Sequence, residues 1–537
     1  MILFLMKWLH HQRWILTPAA LIVLLAGCNA PAPPSPYQLP SGTEINPPRD
    51  IVFLSATELA KKIRTRELSS AEVVEAFINQ IHRHNPELNA IVTIDEKAAR
   101  QRALAADKAL AGGDLWGPLH GVPVTVKDHF ATAGMRTTNG YLPLANQTTD
   151  YDATIVSRLK TAGAIILGKT NMPVLGMDYQ TTNPIFGTTR NPWDPGRTPG
   201  GSTGGGAAAV ASGMTPLEVG SDLGGSIRIP SHYCGVFGLK ATEHFISEHG
   251  SFPGVMDNGP QTVRHMVSQG PLARSIEDLE LALAIMGNAD PRDVNVPVVN
   301  HIPASTRKLN DLKIAWSDNF GDVPISDDTR ETIRSFVRRL AENGCTVRQL
   351  NPPDFDFNTA WKTWGDIKSL EIDIHLPGYA RFLVYTLGSL ERRRNPLASM
   401  AYPASHWKYL DALTRRDQLV SAVEQFLTEW DVFICPVTAT PAISHRTPER
   451  IIFGFPVYND PVTVGTHDLN YWVAAGSYTT PFNLTGNPVV VIPAGLSTDG
   501  LPIGLQIVGP RWRDAELLQI SKLLNNAAGR YQRPGGY

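Results

Sequence analysis

The sequence predicts an α/β protein, and three of its features support this prediction. Short runs rich in β-branched residues, at 119–128 and 164–168, alternate along the chain with segments of helical periodicity. Residues 327–343 read as a helix with a strand on either side. The 537 residues contain no internal repeat and no linker in mid-chain. We therefore expect one large α/β domain over residues 51–537.

The composition is that of an ordinary globular protein with almost balanced charge. Hydrophobic residues make up 42% of the chain, charged residues 18%, and the formal net charge is −2. This balance gives no reason to expect nucleic acid or an anionic membrane surface as a partner. Cys234, Cys345 and Cys435 lie far apart in apolar contexts, so we expect small core residues rather than disulfides or a catalytic thiol.

The first 27 residues have the pattern of an export signal. Two basic residues, Lys7 and Arg13, precede an apolar run that is too short for a spanning helix. The run ends in Leu-Ala-Gly-Cys at residues 25–28, which resembles a bacterial lipobox, in which the cysteine is acylated and becomes the first residue. We therefore expect residues 1–27 to be a lipoprotein signal peptide and Cys28 to carry the lipid.

A proline-rich segment, residues 28–50, follows this signal. Such a segment is extended and does not pack, which suits a tether. The lipobox implies export and a lipid anchor in a bacterial membrane, with the protein facing the periplasm. Asn29 in place of aspartate favours the outer membrane. An ordinary secretory signal that ends near a cysteine by chance stays an alternative.

The folded part of the chain is expected to begin with amphipathic helices. Residues 55–58 and 69–72 both have the Ser-x-x-Glu pattern of a capping box, which opens a helix. Apolar residues recur at helical spacing after the second box, and the Asn-Pro pair at 85–86 is expected to end that helix. Residues 95–111 read as a further helix.

Two lysines stand at the ends of predicted buried strands. Lys127 lies at the end of the run at 119–128, and Lys169 follows the run at 164–168. Because α/β folds display functional groups at strand ends, each lysine is a candidate functional residue. The alternative is a structural lysine whose aliphatic stem covers the sheet edge.

A glycine-rich stretch at residues 197–240 carries two serines, Ser202 and Ser226, that each follow a Gly-Gly pair. Glycine permits backbone angles that a Cβ would forbid, and it lets a substrate approach the main chain closely. We expect a small-residue helix at 204–213, a short strand at 217–219 and a sharp turn after it. On composition alone, a catalytic serine pair and a loop that merely needs tight turns are both open.

Two runs in this stretch resemble the motif of the amidase signature family. They are Gly-Gly-Ser-Thr-Gly-Gly at 200–205 and Gly-Ser-Asp-Leu-Gly-Gly-Ser-Ile-Arg at 220–228, and their two key serines are 24 residues apart, as in the family. Lys127 lies in a segment similar to the family's Gly-Val-Pro-x-x-x-Lys-Asp. The resemblance extends over roughly residues 50–530, and it is weakest between about 285 and 430.

The resemblance implies a large mixed β-sheet core covered by helices on both faces, and hydrolysis of a linear carboxylic amide through a serine acyl-enzyme. In this chemistry Ser226 attacks the carbonyl and Lys127 is the general base. Ser202, which family members hold through a cis bond to Gly201, passes the proton between them. Lys169 lies in another segment that matches the family, and it is expected to be structural because the family base aligns with Lys127. Lys127 would have to be neutral, so burial must lower its pKa from about 10.4 to about 7.

The resemblance also implies an oxyanion hole and the residues that support it. The backbone N–H groups that would stabilise the tetrahedral oxyanion belong to Leu223, Gly224, Gly225 and Ser226. Asp222 and Arg228 flank this turn and are expected to orient it. Thr203 replaces the second serine of the signature run and retains a hydroxyl group.

No cofactor and no metal are expected. No histidine pair has zinc-ligand spacing with a partner carboxylate. The glycine-rich run also lacks the Gly-Lys-Ser/Thr ending of a phosphate-binding loop. The expected partner is therefore a small-molecule amide, and the sequence is compatible with a homodimer.

Other functions stay open at this point. The Gly-x-Ser-x-Gly pattern around Ser202 also fits the nucleophile elbow of an α/β-hydrolase esterase, with a downstream histidine as the base. A third hypothesis is a non-catalytic lipoprotein that keeps the fold for binding. Among amidases, a urea or malonamide specialist stays open, whereas the export signal disfavours a cytosolic amidotransferase component. Tryptophans and tyrosines at 355–430 are expected to pack in the core or to form an apolar wall for an acyl group.

Overall fold

The computed structural model describes residues 51–537 except 256–262, 300–306, most of 373–403, 453–454 and 529–530. The chain divides into two units, Met1–Thr43 and Glu44–Tyr537. The predicted signal peptide, Cys28 and the tether at 28–50 lie outside the described residues. Among the helices of the described part, none is both long enough and apolar enough to cross a membrane.

The helices and strands follow one another in alternation over most of the chain. The helices are α1 (Ala56–Arg64), α2 (Ser70–Leu88), α3 (Glu96–Ala111), α4 (Thr154–Thr161), α5 (Gly204–Ala211), α6 (Arg228–Cys234), α7 (Ile276–Met286), α8 (Asp327–Glu342), α9 (Phe357–Glu371), α10 (His406–Glu429), α11 (Tyr471–Gly476), α12 (Thr480–Leu484) and α13 (Asp514–Ala528). The strands are β1 (Ile91–Ile94), β2 (Pro123–Lys127), β3 (Ile165–Thr170), β4 (Thr182–Asn183), β5 (Gly187–Thr188), β6 (Leu217–Asp222), β7 (Phe237–Lys240), β8 (Ser268–Ala273), β9 (Lys313–Trp316), β10 (Thr346–Gln349), β11 (Val432–Pro436), β12 (Arg450–Ile452), β13 (Phe455–Val457), β14 (Val462–Val464), β15 (His467–Leu469), β16 (Val489–Leu496) and β17 (Pro502–Val508).

Eleven of these strands form one mixed sheet, in the order β1-β3-β2-β6-β8-β7-β16-β17-β11-β9-β10. Strand β2 pairs in parallel with β3 and β6, and β9 pairs in parallel with β10 and β11. The strands between β6 and β11 pair antiparallel. Because β2 and β6 are parallel neighbours, their last residues, Lys127 and Asp222, come to the same edge of the sheet.

Helices cover both faces of this sheet. Alternate residues of a strand point to opposite faces, so each strand contributes side chains to both layers of packing. On one face, apolar side chains of β16 and β17 join the main core with α8 and α13: Val490, Ile492, Leu505 and Ile507. On the other face, Gly504 lies against His232 of α6, and Gln506 accepts a hydrogen bond from Arg228 of α6. The predicted α/β fold with a large mixed sheet is therefore confirmed.

The helix starts agree with the sequence patterns, but the predicted end of α2 is wrong. Both capping boxes form, at Ser55 and at Ser69. Helix α2 continues past Pro86 to Leu88 and ends at Asn89, which has a left-handed conformation with φ 51°. The extra turn is closed by Asn85, whose side-chain oxygen accepts the N–H groups of the two residues after Asn89, at 2.9 and 2.8 Å. A proline this close to the end removes little of the helical ladder.

Strand β8 is an element that the sequence pattern does not predict. It contains Gly270 and Pro271, and proline is rare in a central strand because it cannot donate to the ladder. Neighbouring β7 pairs only with Leu272 and Ala273, so Pro271 lies beyond the end of that ladder. The pairing of β8 with β6 is set by the tertiary fold, which a local pattern does not contain.

The cysteines agree with their prediction. Cys234, Cys345 and Cys435 are free and buried. Burial raises the pKa of the Cys435 thiol above its ordinary range, which keeps it protonated and unreactive.

Candidate active site

Lys127 is the centre of the site. It is the last residue of β2, a strand with every residue buried, and its own side chain has no exposed surface. Its Nζ atom donates to the Oγ atom of Ser202 at 2.7 Å and to the Oγ atom of Ser221 at 3.2 Å. A buried lysine that makes only hydroxyl contacts lacks the carboxylate partner that would fix its charge.

Burial lowers the pKa of Lys127 to about 7, while the carboxylates of Asp222 and Glu218 act in the opposite direction. Burial also raises the pKa of Glu218 to about 7, although that carboxyl accepts hydrogen bonds from the hydroxyls of Thr125 and Thr170. A lysine with a pKa near neutrality can accept a proton at physiological pH, as the resemblance requires.

Ser202 lies in the turn before α5, and the peptide bond between Gly201 and Ser202 is cis. Gly201 has no room for a side chain, because a Cβ there would lie 2.7 Å from the carbonyl oxygen of Asp178. The next residue, Thr203, donates its backbone N–H to the carbonyl of Ser226 at 3.1 Å. The backbone therefore holds the two serine segments side by side. No hydrogen bond joins Ser202 Oγ to Ser226 Oγ among the described residues.

The turn at 223–226 presents backbone N–H groups beside Ser226. The N–H of Gly225 donates to Oδ1 of Asp222 at 2.7 Å, so it is engaged, in contrast to the expectation that all four would face a substrate. Within the described part of the chain, three N–H groups of this turn have no protein acceptor: Leu223, Gly224 and Ser226. These three are available to a ligand.

The orientation of these three N–H groups is fixed by hydrogen bonds to the carbonyl oxygens of the same peptide units. In a trans peptide the C=O and N–H bonds point in opposite directions, so a hydrogen bond to the carbonyl fixes the N–H of the same peptide unit. Each of the three units has such a bond: Asn483 Nδ2 to Asp222 O (3.1 Å), Trp364 Nε1 to Leu223 O (3.0 Å) and the N–H of Ile229 to Gly225 O (2.7 Å). The turn is therefore preorganised for a negatively charged or carbonyl oxygen.

Asp222 and Arg228 form a fully buried ion pair under this turn. The guanidinium donates to the carboxylate through Nη2 at 2.9 Å and through Nε at 3.0 Å. Its Nη1 atom donates to the carbonyl of Thr479 and to the side chain of Gln506. Arg228 holds the pKa of Asp222 far below its ordinary range despite the burial. The pair contacts the turn through the N–H of Gly225, and the orienting role of both residues stays a prediction.

The second candidate lysine makes different contacts. The Nζ atom of Lys169 donates to the carbonyl of Phe130 at 2.6 Å and to Thr137 Oγ1 at 2.9 Å, and it lies 3.8 Å from the carboxylate of Asp128. None of these partners is a serine, so the structural role expected for Lys169 fits its surroundings. No histidine among the described residues bonds to the hydroxyl of Ser202 or Ser226, so an esterase elbow at Ser202 has no histidine base in hydrogen-bond contact.

Several residues of the site carry no sequence signal that singles them out. Ser221 and Asn483 lie in family-like segments, but nothing local assigns them a contact. Trp364 belongs to the aromatic segment that is expected to pack in the core or to line a wall, and its indole instead bonds to the turn. Tyr179 donates its hydroxyl to the carbonyl of Gly224 at 3.1 Å, across 45 residues of sequence. These roles depend on long-range contacts, which one sequence does not show.

Within the described residues, histidine, cysteine, aspartate and glutamate side chains do not gather in a group of three or more that could hold a metal ion. The site consists of a lysine, hydroxyl groups and backbone N–H groups. Together with the fold, it defines an α/β protein with a serine–lysine centre beside a glycine-rich turn.

Comparison with known proteins places this arrangement in a family. Residues 72–518 match the family model described as Amidase. A glutamyl-tRNA(Gln) amidotransferase chain of Nitrosococcus oceani is 32% identical over 90% of this chain and 99% of that protein. An acylamidase of Rhodococcus erythropolis is 33% identical over 88% of this chain and 95% of that protein. The solved structure of 6-aminohexanoate cyclic dimer hydrolase with substrate has a TM-score of 0.73 and 26% identity, and the match covers 90% of this chain and 99% of that one.

The chain therefore belongs to the amidase signature family, and it is an enzyme that acts on amide C–N bonds.

Proposed function

We propose that the protein hydrolyses linear carboxylic amides through an acyl-enzyme on Ser226, with Ser202 and Lys127 as the proton relay. The observation that carries this proposal is the 2.7 Å contact between Ser202 Oγ and the buried Nζ of Lys127. A serine hydroxyl is a weak nucleophile until a base within hydrogen-bond reach removes its proton. Lys127 is such a base, and Ser202 is the nearer of the two hydroxyl groups that it contacts.

In the proposed acylation step, Ser226 Oγ attacks the amide carbonyl and gives its proton to Ser202. Ser202 gives its own proton to the neutral amine of Lys127, so the relay ends with an ammonium group. The C–O bond to Ser226 forms, and the carbonyl oxygen becomes an oxyanion. The N–H groups of Leu223, Gly224 and Ser226 would stabilise that oxyanion, and one such donor is typically worth about 10²–10³ in rate.

Collapse of the tetrahedral intermediate breaks the C–N bond. The proton held by Lys127 returns through Ser202 to the leaving nitrogen, which departs as a neutral amine or ammonia. Water then attacks the acyl-enzyme with the same relay as the base, and the carboxylic acid leaves. Acylation and deacylation each end with Lys127 in its neutral form, so a pKa of about 7 suits both the acceptance and the donation of the proton.

The pH dependence of kcat/KM follows from the protonation state of Lys127. Because the amine acts as a base only when neutral, we expect kcat/KM to fall about tenfold per pH unit below pH 7 and to level off above it. The measurement is kcat/KM for one amide between pH 5 and 9. A rate that is flat through this range, or that falls as the pH rises through 7, would contradict the role of Lys127.

A panel of amides tests the proposed activity. Full-length protein is incubated with primary amides, anilides, peptide amides and fatty amides, with an ester of each acid, and with free glutamine, and the released acid and amine are measured. We expect turnover of at least one linear amide and none by the Ser226→Ala variant. Folded protein that cleaves only esters would support the esterase hypothesis, and folded protein with no turnover would support the non-catalytic one. Turnover of glutamine alone would point to ammonia release like that of an amidotransferase component.

We also propose that the enzyme is exported and anchored by a lipid on Cys28, in the outer membrane. The lipobox-like run at residues 25–28 and the proline-rich segment after it support this proposal. The intact mass of the protein isolated from bacterial membranes should correspond to a chain that starts at Cys28 with acyl groups added. The Cys28→Ala variant should leave the membrane fraction. An unacylated wild-type protein that starts elsewhere would contradict the anchor.

A further inference from the structure

One short segment, residues 176–181, lies against the loop that carries Ser202. The side-chain hydroxyl of Thr181 donates to the carbonyl of Gly200 at 2.9 Å. At Gly176, a Cβ atom would lie 3.4 Å from the Oγ atom of Ser202, so the backbone of the segment runs beside that hydroxyl group. The position of the segment therefore influences the position of Ser202 Oγ.

The same segment also contacts the turn at 223–226. The hydroxyl of Tyr179 donates to the carbonyl of Gly224 at 3.1 Å. The two groups are closely packed, because a Cβ atom on Gly224 would lie 2.8 Å from the hydroxyl oxygen of Tyr179. Residues 176–181 thus connect the loop of Ser202 with the turn that carries Ser226.

The carboxylate of Asp178 anchors this segment to another part of the fold. Tyr471, the first residue of α11, donates its hydroxyl to Oδ1 at 2.7 Å, and Tyr458, which follows β13, donates its hydroxyl to Oδ2 at 2.5 Å. The N–H of Tyr179 also donates to Oδ1, at 2.7 Å. Asp178 is only 8% exposed, and the groups that shift its pKa include no cation. A buried carboxylate without a cation is costly, so this one requires an explanation.

The contacts of Asp178 are those of its ionised form. A carboxylate only accepts hydrogen bonds, and this one accepts two hydroxyl groups and a backbone N–H. The two hydroxyl contacts have the short lengths that are typical of a charged acceptor. A protonated carboxyl would itself have to donate from one oxygen. One tyrosine hydroxyl would then lose or reverse its bond, and the anchor of the segment would weaken.

We propose that Asp178, held by two tyrosine hydroxyls, is a positioning residue that fixes Ser202 relative to the turn at 223–226. This inference rests on the proposed serine relay. The carboxylate of Asp178 bonds to neither serine of the relay among the described residues, so it acts through the backbone of 176–181. The ionised form holds the segment in place, and the neutral form holds it less firmly.

The ionisable groups around Asp178 allow its charge to change within the pH range of an assay. Burial raises its pKa to about 6, although the hydrogen bonds from the tyrosine hydroxyls act in the opposite direction. Burial also raises the pKa of Tyr458 and of Tyr471, so both hydroxyls stay neutral. The charged groups that act on the tyrosines around Asp178 are Arg446, Asp222 and Arg228. The anchor is therefore present above pH 6 and is lost as the pH falls through 6.

The experiment measures the rate at which a fluorophosphonate probe modifies Ser226 in full-length protein, from about pH 4.5 to pH 9. Asp178→Asn keeps the shape of the side chain but is neutral at every pH. We expect this variant to react about tenfold more slowly than the wild type above pH 7, the effect of one lost hydrogen bond to a charged group. The ratio of the two rates should fall toward one below pH 6, where Asp178 of the wild type is neutral too. A purely structural role would give a ratio that does not change with pH.

A second variant, Tyr471→Phe, removes one donor to Asp178 and keeps a buried ring. Because the charged form then has one hydrogen bond fewer, the pKa of Asp178 should rise. The additional fall in rate should then begin at a higher pH than in the wild type. The matched control is Tyr478→Phe, which removes a buried hydroxyl that donates to the carbonyl of Val323, and its pH profile should have the shape of the wild-type profile.

An Asp178→Asn rate within twofold of the Tyr478→Phe control at every pH would overturn the inference and leave the proposed function intact. A ratio of wild-type to Asp178→Asn rates that is constant with pH would overturn it as well. If the wild type is not modified on Ser226 at all, the proposed function itself fails. If Asp178→Asn does not fold, Tyr471→Phe decides: a pH profile of the same shape as that of Tyr478→Phe contradicts the inference.

Discussion

The replacement of Lys127 by alanine is expected to reduce the rate of Ser226 acylation toward the upper end of the range for loss of a general base, about 10²–10⁴-fold. The reason is that Lys127 Nζ is the base contact of Ser202, at 2.7 Å, so the relay loses its proton acceptor. The measurement is the acylation rate in single-turnover experiments with saturating substrate, which separates the chemical step from binding. KM should change much less than kcat, because in the proposed mechanism Lys127 contacts Ser202 and not the substrate.

The control for this prediction is a second buried lysine. Lys240 also has its pKa lowered to about 7 by burial, but it contacts the carbonyl of Ala241 and the hydroxyl of Ser268. The Lys240→Met variant should therefore keep its acylation rate within a few-fold of wild type. If Lys127→Ala and Lys240→Met lose activity to the same extent, loss of stability explains both, and the base must be sought elsewhere.

The second large effect is expected for Asp222→Asn. This substitution keeps the shape of the side chain but leaves Arg228 as a buried charge without its partner, which typically costs about 3–5 kcal/mol of unfolding free energy. It also weakens the hydrogen bond from the N–H of Gly225 and thereby loosens the turn that carries the proposed oxyanion hole. We expect a large fall in the denaturant midpoint, and kcat should fall even at temperatures where the variant is folded.

A surface ion pair is the control for the Asp222 prediction. Glu67 pairs with Lys62 at 2.8 Å on the surface, so the stability of Glu67→Gln should be close to that of wild type, because exposed pairs contribute little. A denaturant midpoint for Asp222→Asn as high as that of Glu67→Gln would show that the buried pair does not hold the turn.

The sequence predicted the parts of the fold and of the site that depend on local patterns. The capping boxes at Ser55 and Ser69 begin helices as predicted, because the cap is formed within four residues. The run of β-branched residues before Lys127 forms a buried strand, and this burial explains why the pKa of the lysine falls. The signature motifs predicted that Ser202 and Lys127 act together in a proton relay. In the structure their side chains are in contact.

The features that the sequence did not predict depend on residues far apart in the chain. Strand β8 pairs in the middle of the sheet despite Pro271, because β6 and β7 lie on either side of it. The N–H of Gly225 is engaged by Asp222, and the carbonyl of Leu223 is held by Trp364, 141 residues away. A single sequence shows which residues can donate or accept, but not which partner the fold supplies.

The position of a covalent adduct tests the central claim most directly. Full-length protein is treated with a serine-reactive fluorophosphonate, digested, and analysed by mass spectrometry, with the Lys127→Ala variant treated in parallel. We expect a single adduct on Ser226 in the wild type and a strongly reduced yield in the variant. An adduct on Ser202, or an adduct on Ser226 that forms equally fast without Lys127, would contradict the proposed mechanism.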